Sequence, residues 1–110
     1  LAEKSGKLLP DNVSEKWQVM QWLMWQMAGQ GPMLGQAHHF LHFNPGTSKY
    51  AEDRYFQEAN RLYGVLDKQL EGRRFVATDE LTIADIAIWP WVSRYQFQKI
   101  DLHNLQLINR

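Results

Sequence analysis

The sequence contains no cysteine. A disulfide framework, a thiolate zinc site and a redox-active protein thiol are therefore excluded, so any thiol chemistry has to come from a ligand or another domain. Neither sign of charge is in excess. Twelve basic residues balance twelve acidic ones over 110 residues, which removes both the basic footprint of a nucleic-acid binder and the acidic tail that recruits basic partners. No apolar run reaches membrane-spanning length, because Gln, His, Lys or Asp interrupts each one, and no basic n-region leads into a short apolar segment. Strand-like alternation, internal repeats and low-complexity tracts are missing as well. What remains is the expectation of one soluble, cytoplasmic domain, long enough to bury a core, with no nucleic-acid or membrane partner.

What is present is helical spacing. Leu1-Ala2-Glu3-Lys4-Ser5-Gly6 reads as the last turn of a helix closed by glycine. A long helix is expected from an N-cap at Asp11 or Asn12 to about Phe43. Within it Val13, Trp17, Met20, Met24, Met27, Gly31, Leu34, His38 and Leu41 recur every three or four residues, the seam of a helix packed lengthwise on another. The methionines are read as packing rather than as the adaptable wall of a pocket. Gly31-Pro32 should kink or loosen this helix, since Pro32 lacks the backbone donor.

Asn44-Pro45-Gly46 marks a turn, after which Thr47 or Ser48 caps a second helix running to about Leu70 and stopped by Gly72. Its buried face is expected to carry Tyr55, Phe56, Ala59, Leu62, Tyr63, Leu66 and Leu70. In Leu81-Thr82-Ile83-Ala84-Asp85-Ile86, Thr82 and Asp85 have the spacing of a capping box, with Leu81 and Ile86 placed as a hydrophobic staple. The helix they start is apolar nearly all round, which predicts that it lies at the centre of the domain, bent by Pro90. Asp101-Leu102-His103-Asn104-Leu105 suggests one more helix start. The fold class is all-α, four to five helices, with a long kinked first helix and a central N-capped one.

Between Lys16 and Lys49 no residue carries a full charge, although several helical turns lie there. The polar positions are instead Gln18, Gln21, Gln26, Gln30, Gln36 and histidines, which suits a helix covered on more than one side by something beyond this chain. A solvated Gln-rich face is the simpler alternative. His38 and His42 lie four apart as two metal ligands could, but no third ligand is in evidence, and no metal is expected. Trp89 and Trp91 could stack on a ligand, though anchoring a proline-bent helix explains them equally well. On spacing alone, Arg54 reads as the i,i+4 surface partner of Glu58.

Three groups of segments go further. They are Gln21-Trp22-Leu23-Met24-Trp25-Gln26 with Gly31-Pro32-Met33-Leu34-Gly35-Gln36; Tyr50-Ala51-Glu52-Asp53-Arg54-Tyr55 with Leu62-Tyr63-Gly64-Val65-Leu66-Asp67; and Thr82-Ile83-Ala84-Asp85-Ile86-Ala87 with Trp89-Pro90-Trp91. In this order they resemble the C-terminal helical domain of glutathione transferases of the bacterial disulfide-bond oxidoreductase type (Nu class), which neighbour the fungal nitrogen-regulator proteins. The Thr-Ile-Ala-Asp element alone marks only a transferase-like helical domain; the Gly-Pro-Met-Leu-Gly-Gln segment and Trp-Pro-Trp are more specific.

The resemblance implies that residues 1–10 are the end of the preceding domain's last helix and a linker, and that residues 11–110 are a truncated helical domain. It implies a parent that conjugates glutathione to electrophiles, or reduces disulfides with glutathione, as a homodimer. Glutathione or its disulfide and a small electrophile or disulfide would be partners; glutathione is then a substrate and no cofactor is needed. Arg54 would reach a glutathione carboxylate, and Gln36, His39 and Phe40 would line the acceptor cleft. Thiol-activating residues would lie upstream of Leu1, leaving this piece catalytically silent, with no catalytic residue of its own. The competing reading is a non-catalytic, transferase-like assembly module.

Overall fold

The computed structural model describes residues 1–102, so the helix start expected at Asp101 lies, from residue 103 on, outside the described residues. Every regular element among those described is helical. A short α1 (Ala2–Ser5) ends at Gly6, whose φ of 72° lets its N–H turn back to the Ala2 carbonyl at 2.9 Å.

α2 (Val13–Trp25) starts where the Asn12 side chain accepts from the Glu15 amide at 3.1 Å. It continues without a break through a π segment (Gln26–Gln30), α3 (Gly31–Ala37) and a second π segment (His38–Phe43). The loosening expected at Pro32 is there, one turn ahead of it. The Gly31 N–H bonds the Gln26 carbonyl five residues back, opening a wider turn before the residue that has no amide hydrogen to give. The second π segment closes at Asn44, whose N–H and side-chain amide both donate to the His39 carbonyl, at 2.9 and 3.3 Å.

Thr47 and Ser48 divide the work the sequence offered to either. The Thr47 hydroxyl donates to the Asn44 carbonyl at 2.9 Å, and the Ser48 hydroxyl caps α4 (Lys49–Gln69) by accepting from the Ala51 amide at 3.2 Å. Gly72, with φ 71°, follows the end of α4.

α5 (Ile83–Val92) begins with the Thr82–Asp85 capping box. Asp85 Oδ2 accepts from the Thr82 amide at 3.0 Å, while Oδ1 accepts from the Val76 amide at 2.9 Å. One carboxylate thus fixes both the helix start and the preceding loop. The next orphan donor, the Ile83 N–H, is taken by the Leu8 carbonyl at 3.0 Å. A 3-10 turn (Tyr95–Gln98) follows α5.

The core joins Val19, Leu34 and Ala37 of the long helix to Ala59, Leu62, Tyr63 and Leu66 of α4 and to Ala84, Ile88 and Val92 of α5. Four expectations need correction. The first half of the seam faces solvent: Trp17, Met24 and Met27 are 62%, 50% and 62% exposed, so those two methionines are not core, and Val13 is exposed too. Only Gly31 and Leu34 of the seam are fully buried, with Met20, His38 and Leu41 half-buried. Phe56 is exposed, one residue off the face of α4 that carries Ala59, Leu62 and Leu66. α5 is buried on one side only: Leu81, Ile86 and Trp89 are exposed along a groove beside Leu66 and Leu70, so the staple residues line a surface. Of the glutamines, Gln18, Gln21 and Gln36 are exposed, and Gln30 is buried with its Nε2 donating to the Ile88 carbonyl at 3.5 Å and its Oε1 unpartnered.

Candidate functional site

The N-terminal half of α4 forms one side of an open cleft of about 600 Å³, with Met33 of α3 opposite and Tyr50, Asp53, Arg54, Tyr55, Glu58 and Arg61 along the helix. These α4 positions recur at the three- and four-residue spacing that places side chains on one helical face. The charges there are sorted into pairs that leave one group out.

Arg61 Nε donates to both oxygens of the Glu58 carboxylate, at 3.1 and 3.0 Å, and its Nη2 contacts Oε1. This hydrogen bonding from Arg61 is the main reason the Glu58 carboxyl is held below the usual carboxylate range, and it raises Arg61 in turn. The Lys49 ammonium takes the other acid, donating to the Asp53 oxygens at 3.2 and 3.3 Å. The Arg54–Glu58 pair that spacing suggested is not formed. Among the described residues, no ion pair or hydrogen bond engages the exposed Arg54 guanidinium. The Arg54 charge also helps to lower the Glu58 carboxyl, from a distance, and a planar five-donor group whose donors are not taken up among the described residues, at the mouth of a cleft, is suited to a ligand carboxylate.

None of Gln36, His39 and Phe40 lines this cleft itself, and Phe40 reaches its wall through Tyr55. The Phe40 ring stacks on Tyr55, centroids 5.7 Å apart and 10° from parallel, and Tyr55 lines the cleft. His39 stands edge-on to Phe40 at 4.8 Å but is exposed, as is Gln36, and neither lines the Arg54 cleft.

His38 and His42 are drawn into separate contacts. His38 Nε2 meets Gln98 Nε2 at 2.8 Å, whereas His42 stacks on Phe97, centroids 3.9 Å apart and 8° from parallel. No group of three or more His, Cys, Asp or Glu among the described residues could hold one metal ion. Gln98 is fully buried and links three elements, yet nothing in its local sequence marks it, because its partners are up to 60 residues away.

Residues 31–107 match the family described as the C-terminal domain of glutathione S-transferase. The chain belongs to this family. It is 50% identical over 102 residues to the disulfide-bond oxidoreductase YfcG of Escherichia coli (strain K12), covering 93% of this chain and 47% of that protein. Among solved structures, a glutathione transferase family member from Pseudomonas fluorescens Pf-5, with two glutathione bound, superposes with a TM-score of 0.90. It has 38% sequence identity and the match covers 99% of this chain and 51% of that one. A glutathione transferase from Pseudomonas putida, with one glutathione disulfide bound per subunit, gives a TM-score of 0.83 at 45% identity, covering 98% of this chain and 48% of that one. This glutathione S-transferase helical domain therefore spans about half the length of the relatives it matches. No helix among its described residues is long and apolar enough to cross a membrane.

Proposed function

We propose that the whole protein is a glutathione transferase that conjugates glutathione to small electrophiles, reduces disulfides with glutathione, or does both. In the disulfide reaction a glutathione thiolate attacks one sulfur of a mixed disulfide, glutathione disulfide forms, and the other sulfur leaves as a thiol after taking a proton. No protein cysteine is needed for this exchange, and this chain has none. The residues that activate the thiol would belong to a preceding domain, with residues 1–10 as its last helical turn and the linker. The cytoplasm, where glutathione keeps thiols reduced, is the proposed location.

The observation that carries this reading is the unpaired Arg54 guanidinium in the α4 cleft, its acidic neighbours already engaged by Lys49 and Arg61. Arg54 would grip a glutathione carboxylate, and the Phe40–Tyr55 stack would form an apolar wall beside it. Gln36 and His39, exposed near that stack, would reach an acceptor only from its rim. A homodimer is proposed on the apolar ridge of Val13, Trp17, Met24 and Met27, along α2 and the π segment after it, which stands exposed among the described residues.

Calorimetric titration of the full-length parent with glutathione and with glutathione disulfide tests the assignment. Arg54→Ala should weaken binding roughly 10- to 100-fold, the worth of a charge-assisted hydrogen-bonded pair. Arg54→Lys should recover little, because an ammonium lacks the planar fork. Equal affinity in wild type and Arg54→Ala removes Arg54 from the site. No binding by the wild-type parent favours the non-catalytic assembly module.

A further inference from the structure

We propose that His38 is the proton-sensitive pin of a clasp fastening the end of the long helix to α4, α5 and the 3-10 turn, and that protonation of His38 opens it. At its centre is Gln98, fully buried on the 3-10 turn. Its side-chain oxygen accepts from the Tyr63 hydroxyl on α4. Its Nε2 donates to the Trp91 carbonyl of α5 at 3.0 Å and lies 2.8 Å from His38 Nε2.

The Trp91 carbonyl, which also lies 3.4 Å from the Tyr63 hydroxyl, sets the orientation of the Gln98 amide. The Gln98 amide has two hydrogens and two acceptors to receive them, the Trp91 carbonyl and His38 Nε2. Flipping the amide would set its oxygen 3.0 Å from the Trp91 carbonyl oxygen, two acceptors face to face. Tyr63 stays a donor, because burial pushes its phenol well above the ordinary value. His38 Nε2 must then be a bare lone pair, and the imidazole must be neutral with its proton on Nδ1. A second proton would put a ring N–H against the amide hydrogens, with no acceptor between them.

The surroundings oppose that proton from each packed element. Burial is the largest influence lowering the His38 pKa from its ordinary 6.5, followed by His42 on its own π segment and Arg94 after α5. The 3-10 turn offers the Phe97 ring at 5.6 Å, α5 the Trp91 ring at 5.4 Å, and α4 Tyr63 across Gln98. The sign follows from the lowered value. Above about pH 6.5 both folded and unfolded chains hold His38 neutral, and the clasp contributes fully. As the pH falls below that, the unfolded chain takes a proton that the folded one refuses, so stability declines until the folded pKa is reached and the clasp opens.

The test uses the full-length protein, with imidazole nitrogen NMR and urea unfolding between pH 5 and 8. Neutral His38 should carry its proton on Nδ1 and titrate below the ordinary histidine value of 6.5. The loss of stability on acidification should shrink in His38→Gln. Should that variant fail to fold, Gln98→Glu decides, because a carboxylate facing Nε2 favours the protonated ring. The His38 midpoint should then rise by about one pH unit or more. A wild-type midpoint at or above 6.5, a proton on Nε2, or a Gln98→Glu midpoint equal to wild type overturns the proposal.

Discussion

Asp85 illustrates how much one carboxylate can hold. Its role as a cap was readable because capping is local, with donor and acceptor three residues apart in a recognisable order. Its second bond, to the Val76 amide, was not readable, since nothing in sequence aims a loop nine residues upstream at that oxygen. Asp85→Ala should therefore cost more than an ordinary cap. About 1 kcal/mol for the cap adds to roughly 1–3 kcal/mol for the amide left without a partner, measured as a shift in the urea midpoint. Asp85→Asn keeps one acceptor oxygen and should fall between. Arg54 shows the opposite limit: Glu58 lies within helical reach of both Arg54 and Arg61, and spacing does not say which it takes.

At the scale of the element, the long helix explains the largest misreading. Its seam was traced as one α-helical phase from Val13 to Leu41, but two π segments interrupt it. Each i→i+5 turn sets the following residues back by about one residue, about 100° of rotation. The line that points to solvent at Trp17, Met24 and Met27 therefore enters the core at Gly31 and Leu34. Pro32 announced a disturbance without saying which kind. Gly31 is where the wider turn is tightest: a Cβ there would lie 3.1 Å from both the Gln26 carbonyl oxygen and Gln26 Nε2. Gly→Ala in a helix ordinarily gains up to about 1 kcal/mol. Here the crowded oxygen accepts the Gly31 amide itself and cannot withdraw without breaking that bond, so Gly31→Ala should be net destabilising by thermal unfolding.

Over the whole molecule, the missing strand alternation and regular caps made the all-α class legible, and the comparisons place the chain in the matching family. Which faces are covered was less legible, because burial depends on how the helices pack together and not on the spacing along each one. With a radius of gyration of 15.1 Å, the chain is less compact than the ~13 Å of a globule this long, and along its 48 Å axis the α2 ridge and the α5 groove stand exposed among the described residues. The uncharged stretch from Trp17 to Ser48 suits either a partner or a solvated Gln-rich face, and it does not say where along the helix contact with the rest of this chain stops. The entry segment, for its part, contacts the helical domain it leads into. Leu8 adopts a left-handed φ of 67°, at a cost of roughly 1 kcal/mol, and its carbonyl meets the first free amide of α5 while Leu9 packs on the core. A chain begun at Asp11 should be about 1–3 kcal/mol less stable in urea than one begun at Lys7. On that expectation, a cut made where the helical pattern starts would remove a piece of the domain it was meant to isolate.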